Sequence, residues 1–112
     1  MLPDFLKSYQ TLTAGNTGLV AQAARAVLCG WSISNSGAAI QHVKLYNKAT
    51  APTASDTPLL RISIPAGQTV SFSLPGGVVF DAGLSVRSVT TMPDAGATGS
   101  TAGEGAVNLF FQ

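Results

Sequence analysis

Residues 60–74, LRISIPAGQTVSFSL, decide the fold of this chain. Apolar and polar residues alternate from Leu60 to Ile64 and again from Val70 to Leu74, with Pro65-Ala66-Gly67 between the two runs. A period of two places successive side chains on opposite faces of a strand, and a Pro-Gly cluster between such runs marks a turn. The stretch therefore predicts two short β-strands, each with one buried and one exposed face.

The same alternation recurs before and after this stretch. It covers residues 26–34, 39–48, 84–91 and 107–111, and a short apolar segment covers 78–80. Turn signals separate the runs at intervals of about 8–12 residues, which is typical of a sandwich or barrel. We expect an all-β fold, a jelly-roll-like β-sandwich of six to eight short antiparallel strands, in which 26–34 and 39–48 form a hairpin.

The apolar side of each run predicts the hydrophobic core. In 26–34 the odd-numbered positions are apolar, and in 39–48 burial of Val43 and Leu45 leaves His42, Lys44 and Tyr46 on the exposed face. The predicted core consists of Val27, Trp31, Ile33, Val43, Leu45, Leu60, Ile62, Ile64, Val70, Phe72, Leu74, Leu84, Val86 and Leu109.

Residues 1–12 differ from the rest of the chain. Leu2, Phe5, Leu6 and Tyr9 have the spacing of one side of a short helix. The sequence predicts an N-terminal arm over 1–12, followed by a single β-sandwich domain over 13–112. Two interpretations of the arm remain open: it reaches across to a neighbouring subunit, or it is a frayed terminus.

Charged residues are scarce. They make up 10% of the chain, beside 46% hydrophobic residues, whereas a soluble domain usually carries about 25% charged residues. A surface of Ser, Thr, Asn and Gln loses little when it is buried against a neighbouring subunit. The composition favours self-assembly, and the alternative is a Ser/Thr-rich surface without a partner.

Several classes of partner and location are not expected. The six basic residues are scattered and the net charge is +1, so no nucleic-acid footprint forms. No apolar run of about 18 residues is present to cross a membrane, and the opening MLPDFLKSYQ does not have the pattern of a secretory signal. Cys29 is the single cysteine, which we expect to be a buried free thiol.

Catalytic and cofactor chemistry also lacks its usual residue sets. His42 is the single histidine, and no nucleophile motif stands near it. One His and one Cys cannot supply the ligands of a zinc site, and neither a calcium loop nor a phosphate loop is present. We expect no enzymatic activity, no metal and no cofactor.

Aromatic residues supply the remaining candidates for contacts. Trp31 lies on the apolar side of its run and is predicted to be in the core. Phe110 and Phe111 are adjacent in a strand, so they point to opposite faces and one of them leaves the core. Tyr46 and Phe110 are the aromatic residues next to loops.

The chain from Val27 to Gln112 resembles small structural proteins of tailed bacteriophages. The segments that carry the resemblance are Gly30–Asn35 (GWSISN), Val43–Ala49 (VKLYNKA), Ile64–Thr69 (IPAGQT), Phe72–Phe80 (FSLPGGVVF) and Val107–Phe111 (VNLFF). They are β-turn patterns rather than an active site. The resemblance implies a virion component with a jelly-roll or sandwich fold.

Phage proteins of this kind include capsid decoration, or cement, proteins and parts of tails and fibres. The short length of the chain, without an obvious appended domain, favours a decoration protein that binds the outer shell and stabilises it by bridging capsid subunits. The expected partners are the major capsid protein and further copies of the chain, as a homotrimer, in virions assembled in the host cytoplasm. The alternative is a tail or fibre component that recognises a host glycan or protein, and a non-viral carbohydrate-binding sandwich is a third possibility. The expected interface residues are Leu2, Phe5, Leu6, Tyr9, Tyr46 and Phe110.

Overall fold

The chain folds into eight β-strands, and a computed structural model describes residues 6–93, 99 and 105–112. The strands are β1 (Lys7–Thr11), β2 (Leu19–Gln22), β3 (Ala26–Asn35), β4 (Gln41–Asn47), β5 (Leu60–Ile64), β6 (Thr69–Phe80), β7 (Leu84–Val89) and β8 (Gly105–Phe111). The described ranges contain no helix. The all-β class and the strand number expected from the sequence are confirmed. Within those ranges, no helix long and apolar enough to cross a membrane occurs.

The strands form two four-stranded antiparallel sheets. Sheet I has the order β1-β8-β3-β6, and sheet II has the order β2-β7-β4-β5. Counted from the two ends of the chain, the strands pair as mirror images: β1 with β8, β2 with β7, β3 with β6 and β4 with β5. The chain thus pairs like one long hairpin whose successive pairs alternate between the sheets.

The core contains most of the residues that the alternation predicted. Nine of them are buried: Trp31, Ile33, Val43, Leu45, Ile62, Ile64, Leu84, Val86 and Leu109. Leu60, Val70 and Leu74 are partly buried and pack against that core. Two predicted core residues, Val27 and Phe72, are not buried, and a different local feature explains each of them.

A β-bulge in β3 moves Val27 out of the core. The register of β3 shifts between Leu28 and Gly30 against both β6 and β8. An extra residue in a strand reverses which side chains face inward, so Leu28 rather than Val27 is buried before the bulge. The same bulge leaves Cys29 only half-buried, and the expectation of a buried thiol is wrong.

Phe72 is exposed because β6 is an edge strand. It lies opposite Trp31, so the two side chains share a face of sheet I. Their ring centroids are 5.5 Å apart. Trp31 is buried, whereas Phe72 remains 55% exposed. In the same strand Phe80, which the sequence left out of the core, is fully buried.

The predicted helix in the N-terminal arm is wrong for the residues described. Lys7–Thr11 form β1 and pair along their whole length with β8. Main-chain bonds to a neighbouring strand outweigh a weak helical spacing in so short a segment. Residues 1–5 lie outside the described ranges, as does most of the loop predicted over 93–103.

The predicted hairpin of residues 26–34 and 39–48 is also wrong, because β3 and β4 belong to different sheets. The buried side chain of Asn35 holds the crossing. Its amide donates to the carbonyl oxygens of Ala39 (2.8 Å) and Ile64 (3.0 Å), and its Oδ1 accepts from Nε2 of Gln41 (2.9 Å). A side chain therefore takes over the bonds that a tight turn would make.

Candidate functional site

The outer face of sheet I is a broad, uncharged surface, and we refer to it as the neutral face. Its side chains are those that point away from sheet II: Ser8 and Gln10 in β1, Ala106, Asn108 and Phe110 in β8, Val27, Ser32 and Ser34 in β3, and Thr69, Ser71, Ser73 and Val79 in β6. None of these residues carries a charge. Burial of this face against a partner would therefore desolvate no ion.

Hydroxyl and amide groups bond to each other across the strands of the neutral face. The hydroxyl oxygens of Ser32 and Ser71 are 2.9 Å apart, and those of Ser34 and Thr69 are also 2.9 Å apart. Asn108 donates from Nδ2 to the carbonyl oxygen of Ser32 at 3.0 Å. Such cross-strand pairs stabilise neighbouring strands, and here they join β3 to β6 and to β8.

A depression of about 330 Å³ interrupts this face at the bulge. Gly30 lies at its centre, opposite Phe110 on one side and Ser73 on the other. The depression is also lined by Leu6 and Cys29. A Cβ atom on Gly30 would lie 2.6 Å from the carbonyl oxygen of Phe72. The close approach of the β6 main chain to β3 therefore requires glycine at this position.

The structure brings together two of the residues expected at an interface and moves others away. Leu6, which is 55% exposed, and Phe110 line the same depression. Phe111 is buried in the core, which confirms that only one of the two adjacent phenylalanines leaves it. Tyr9 is partly buried and packs against the core. The remaining two N-terminal candidates, Leu2 and Phe5, lie outside the described residues.

Tyr46 does not belong to an exposed surface, because the outer face of sheet II is covered. Only 1% of Tyr46 is exposed, and Lys44 and His42 on the same strand face are also buried. The sequence predicted all three to be exposed. Strand alternation shows which side chains share a face, but it cannot show that loops from elsewhere cover that face.

Two buried cations attach these covering segments to sheet II. Arg87 is fully buried and donates from Nε to the carbonyl oxygen of Asn16 (2.9 Å) and from Nη2 to Asn16 Oδ1. Its Nη1 donates to the hydroxyl of Tyr46 at 3.1 Å. Lys44, also fully buried, donates to the carbonyl oxygen of Pro93. The segments around Asn16 and Pro93 thus lie over the face that the sequence predicted to be open.

An ion pair orders the loop between β4 and β5. Lys48 Nζ lies 2.8 Å from Asp56 Oδ2, which also accepts from the main-chain N–H of Thr53 at 2.8 Å. The hydrogen bond from Lys48 makes the largest contribution to lowering the pKa of Asp56, and the bond from Thr53 lowers it further. The contact accounts for an acidic side chain in this loop without any catalytic role.

His42 bonds to a serine within the covered face. Its Nδ1 lies 2.8 Å from the hydroxyl oxygen of Ser63. Burial, and then the charge of Lys44, lower the pKa of His42 below its usual value. Among residues 6–93, 99 and 105–112, no three His, Cys, Asp or Glu side chains are grouped so as to hold a metal ion.

Acidification is expected to destabilise the fold through His42. Because its pKa is lowered in the folded state, the unfolded chain takes up a proton first as the pH falls below about 6.5, and the free energy of unfolding decreases. We expect H42Q, whose amide can still bond Ser63, to reduce this slope between about pH 5 and pH 7. Urea unfolding at a series of pH values measures how the free energy of unfolding changes with pH. An unchanged slope in H42Q would contradict the attribution of this dependence to His42.

Comparisons with protein-family models, with curated proteins and with solved structures give no match for this chain. The candidate site therefore rests on its own geometry. Sequence reasoning found Leu6 and Phe110 but missed the depression between them. The available signal was Cys29-Gly30 inside an otherwise alternating run, because glycine within a strand often marks a bulge.

Proposed function

We propose that this chain is a capsid decoration protein of a tailed bacteriophage, and that it binds the outer capsid shell through the neutral face of sheet I. The observation that carries the proposal is the difference between the two sheets. The outer face of sheet II is covered by segments of the same chain that bond to Lys44 and Arg87. The neutral face carries no charge, and no segment of the described ranges 6–93, 99 and 105–112 covers it.

The composition of the neutral face suits a protein partner. Protein interfaces are depleted of charge at their centre, and an aromatic anchor in a desolvated pocket often carries much of the affinity. Phe110 beside the Gly30 depression is such an anchor, and Leu6 adds an apolar rim. The surrounding hydroxyl and amide groups can bond to a partner's main chain.

The strand pairing supports the finer assignment of the sandwich as a jelly roll. Its eight strands pair β1 with β8, β2 with β7, β3 with β6 and β4 with β5. Jelly rolls of two four-stranded sheets occur among viral capsid domains and also among lectins and cupins. This support is an analogy of fold, and it agrees with the resemblance carried by the sequence.

The proposed action is mechanical. A subunit that binds only the assembled shell, across neighbouring copies of the major capsid protein, stabilises the shell by mass action. The protein would then reside in the virion and need no catalytic group or cofactor. The threefold arrangement that the resemblance implies stays a prediction.

Capsid binding tests this proposal. Particles produced from the encoding genome with the gene for this chain deleted would be mixed with purified protein, and binding measured by cosedimentation. F110K places a charge at the centre of the neutral face and is expected to weaken binding at least tenfold, as for an interface anchor. L59K is the matched control, since Leu59 is 47% exposed in a loop away from that face, and it should bind like the unchanged protein.

Two outcomes would contradict the proposal. Equal binding by F110K and L59K would exclude the neutral face as the contact. Imaging of particles with the tagged protein at the tail rather than over the shell would support the tail or fibre alternative instead.

A further inference from the structure

The four edge strands of the sandwich differ in how they are protected from pairing. In sheet I, β1 begins with Lys7, and in sheet II, β5 carries the exposed Arg61 at its second position. The edge strand β2 has only four residues and an irregular register. Charges, short length and bulges are the devices that keep edges from pairing with other chains. The first half of β6, Thr69–Ser73, has none of them.

The main-chain groups on the open side of β6 can be identified from one hydrogen bond. Asn35 N–H donates to the carbonyl oxygen of Gln68 at 2.8 Å. In an antiparallel ladder the direction of these groups alternates from residue to residue. The N–H and C=O groups of Val70 and Phe72 therefore point toward β3, and those of Thr69, Ser71 and Ser73 point away from it, toward the open side.

We propose that Thr69–Ser73 pairs with the same segment of a second copy of this chain, antiparallel and around a two-fold axis at Ser71. In this register Ser71 faces Ser71, and Thr69 faces Ser73 on both sides of the axis. Each open-side residue then exchanges main-chain hydrogen bonds with another open-side residue. A two-fold axis at Val70 or Phe72 would leave part of the segment without a partner.

The side chains fit the same register. Phe72 of one copy lies opposite Val70 of the second copy, so the ring that is 55% exposed in the single chain is covered by an apolar neighbour. On the other face Ser71 meets Ser71 and extends the row that already joins Ser32 to Ser71. The two neutral faces become one continuous surface across eight strands.

The geometry of β6 also limits the contact. Pro75, Gly76 (φ 82°) and Gly77 (φ 75°) lie where the register of β3 and β6 shifts. Main-chain pairing cannot continue through this region, because proline has no N–H and the strand bulges. A five-residue edge belongs to the small class of interfaces, so we expect a weak dimer with a dissociation constant on the order of 10–100 µM.

Sedimentation equilibrium of the full chain tests the pairing, with three variants at Ser71. S71A removes the hydroxyl but keeps the main-chain N–H, and it should dimerise like the unchanged protein. S71P also removes the N–H on the open side, and S71K places two like charges opposite each other at the axis. Both are expected to weaken dimerisation at least tenfold, and high salt should partly restore the S71K dimer only.

Cross-linking tests the register itself. In a C29S background, S71C should form a disulfide between copies, because Cα atoms of a directly opposed pair lie about 5.5 Å apart. S8C, on the same face but in β1, is the matched control and should not cross-link. Circular dichroism of each variant confirms that it is folded.

Several results would overturn the pairing. They are a monomer at about ten times the expected dissociation constant, a dimer or trimer insensitive to both S71P and S71K, or equal cross-linking of S71C and S8C. The inference does not rest on the proposed function, since F110K tests capsid binding at a residue outside the β6 edge.

Discussion

Replacement of Arg87 by alanine is expected to lower the free energy of unfolding by about 3–5 kcal/mol. The fully buried guanidinium donates to the main-chain and side-chain oxygens of Asn16 and to the hydroxyl of Tyr46. Its removal leaves the buried Tyr46 hydroxyl without its donor, releases the exposed Asn16 from sheet II and opens a cavity. Most small domains have a free energy of unfolding of only about 5–15 kcal/mol. The variant should therefore be only marginally stable.

Two milder substitutions separate the contributions to this effect. Y46F removes a single hydroxyl and should cost about 1 kcal/mol, while R87M keeps most of the packing and loses all the hydrogen bonds. Urea unfolding measures the free energy of unfolding of R87A, R87M and Y46F. We expect the loss in R87M to lie between those in the other two variants. A loss below about 1 kcal/mol in R87A would show that the segment around Asn16 is held by other contacts.

Replacement of Phe80 by alanine is expected to cost about 3–5 kcal/mol, whereas F72A should cost the single chain less than about 1 kcal/mol. Both rings belong to β6, but Phe80 is fully buried and Phe72 is 55% exposed. The cost of a truncated side chain follows the apolar contacts and the cavity that it leaves. The two residues therefore form a matched pair within one strand.

Thermal and urea unfolding at low protein concentration measure both variants without a contribution from dimers. Equal losses of the free energy of unfolding in F80A and F72A would contradict the exposure of Phe72 in the single chain. At high concentration the unchanged protein should gain stability that F72A does not gain, because the proposed pairing of two β6 strands would bury Phe72.

Pairing of two copies through β6 would also affect how the chain binds a capsid through its neutral face. Two-fold pairing would place two Gly30 depressions and two Phe110 side chains on one continuous neutral face. Linked sites bind a repetitive surface more tightly than single sites do. A weak dimer could thus form on the shell even where it dissociates in dilute solution.

The sequence by itself determined the β class, most strands and most of the core. Alternation at Leu60–Ile64 and at Leu84–Val86 needs no knowledge of the rest of the chain, because a period of two gives a strand one buried face wherever it lies. The same local rule correctly separated Phe110 from Phe111.

Only the tertiary structure decided where that rule fails. The bulge at Cys29-Gly30 reverses the parity of β3, so that Leu28 enters the core and Val27 leaves it. The spacing of the first residues predicted a helix, but Lys7–Thr11 form a strand that pairs with β8, about 100 residues further along the chain. In both cases the deciding contacts join residues that are distant in sequence.

The same reason explains the candidate site. Whether a polar strand face is open or covered depends on which loops return to it, and the loop that carries Asn16 covers Tyr46 and Arg87 in sheet II. No such segment among the described residues covers the neutral face of sheet I. Local sequence sets which side chains share a face, whereas chain topology determines which face meets solvent and which strand becomes an edge.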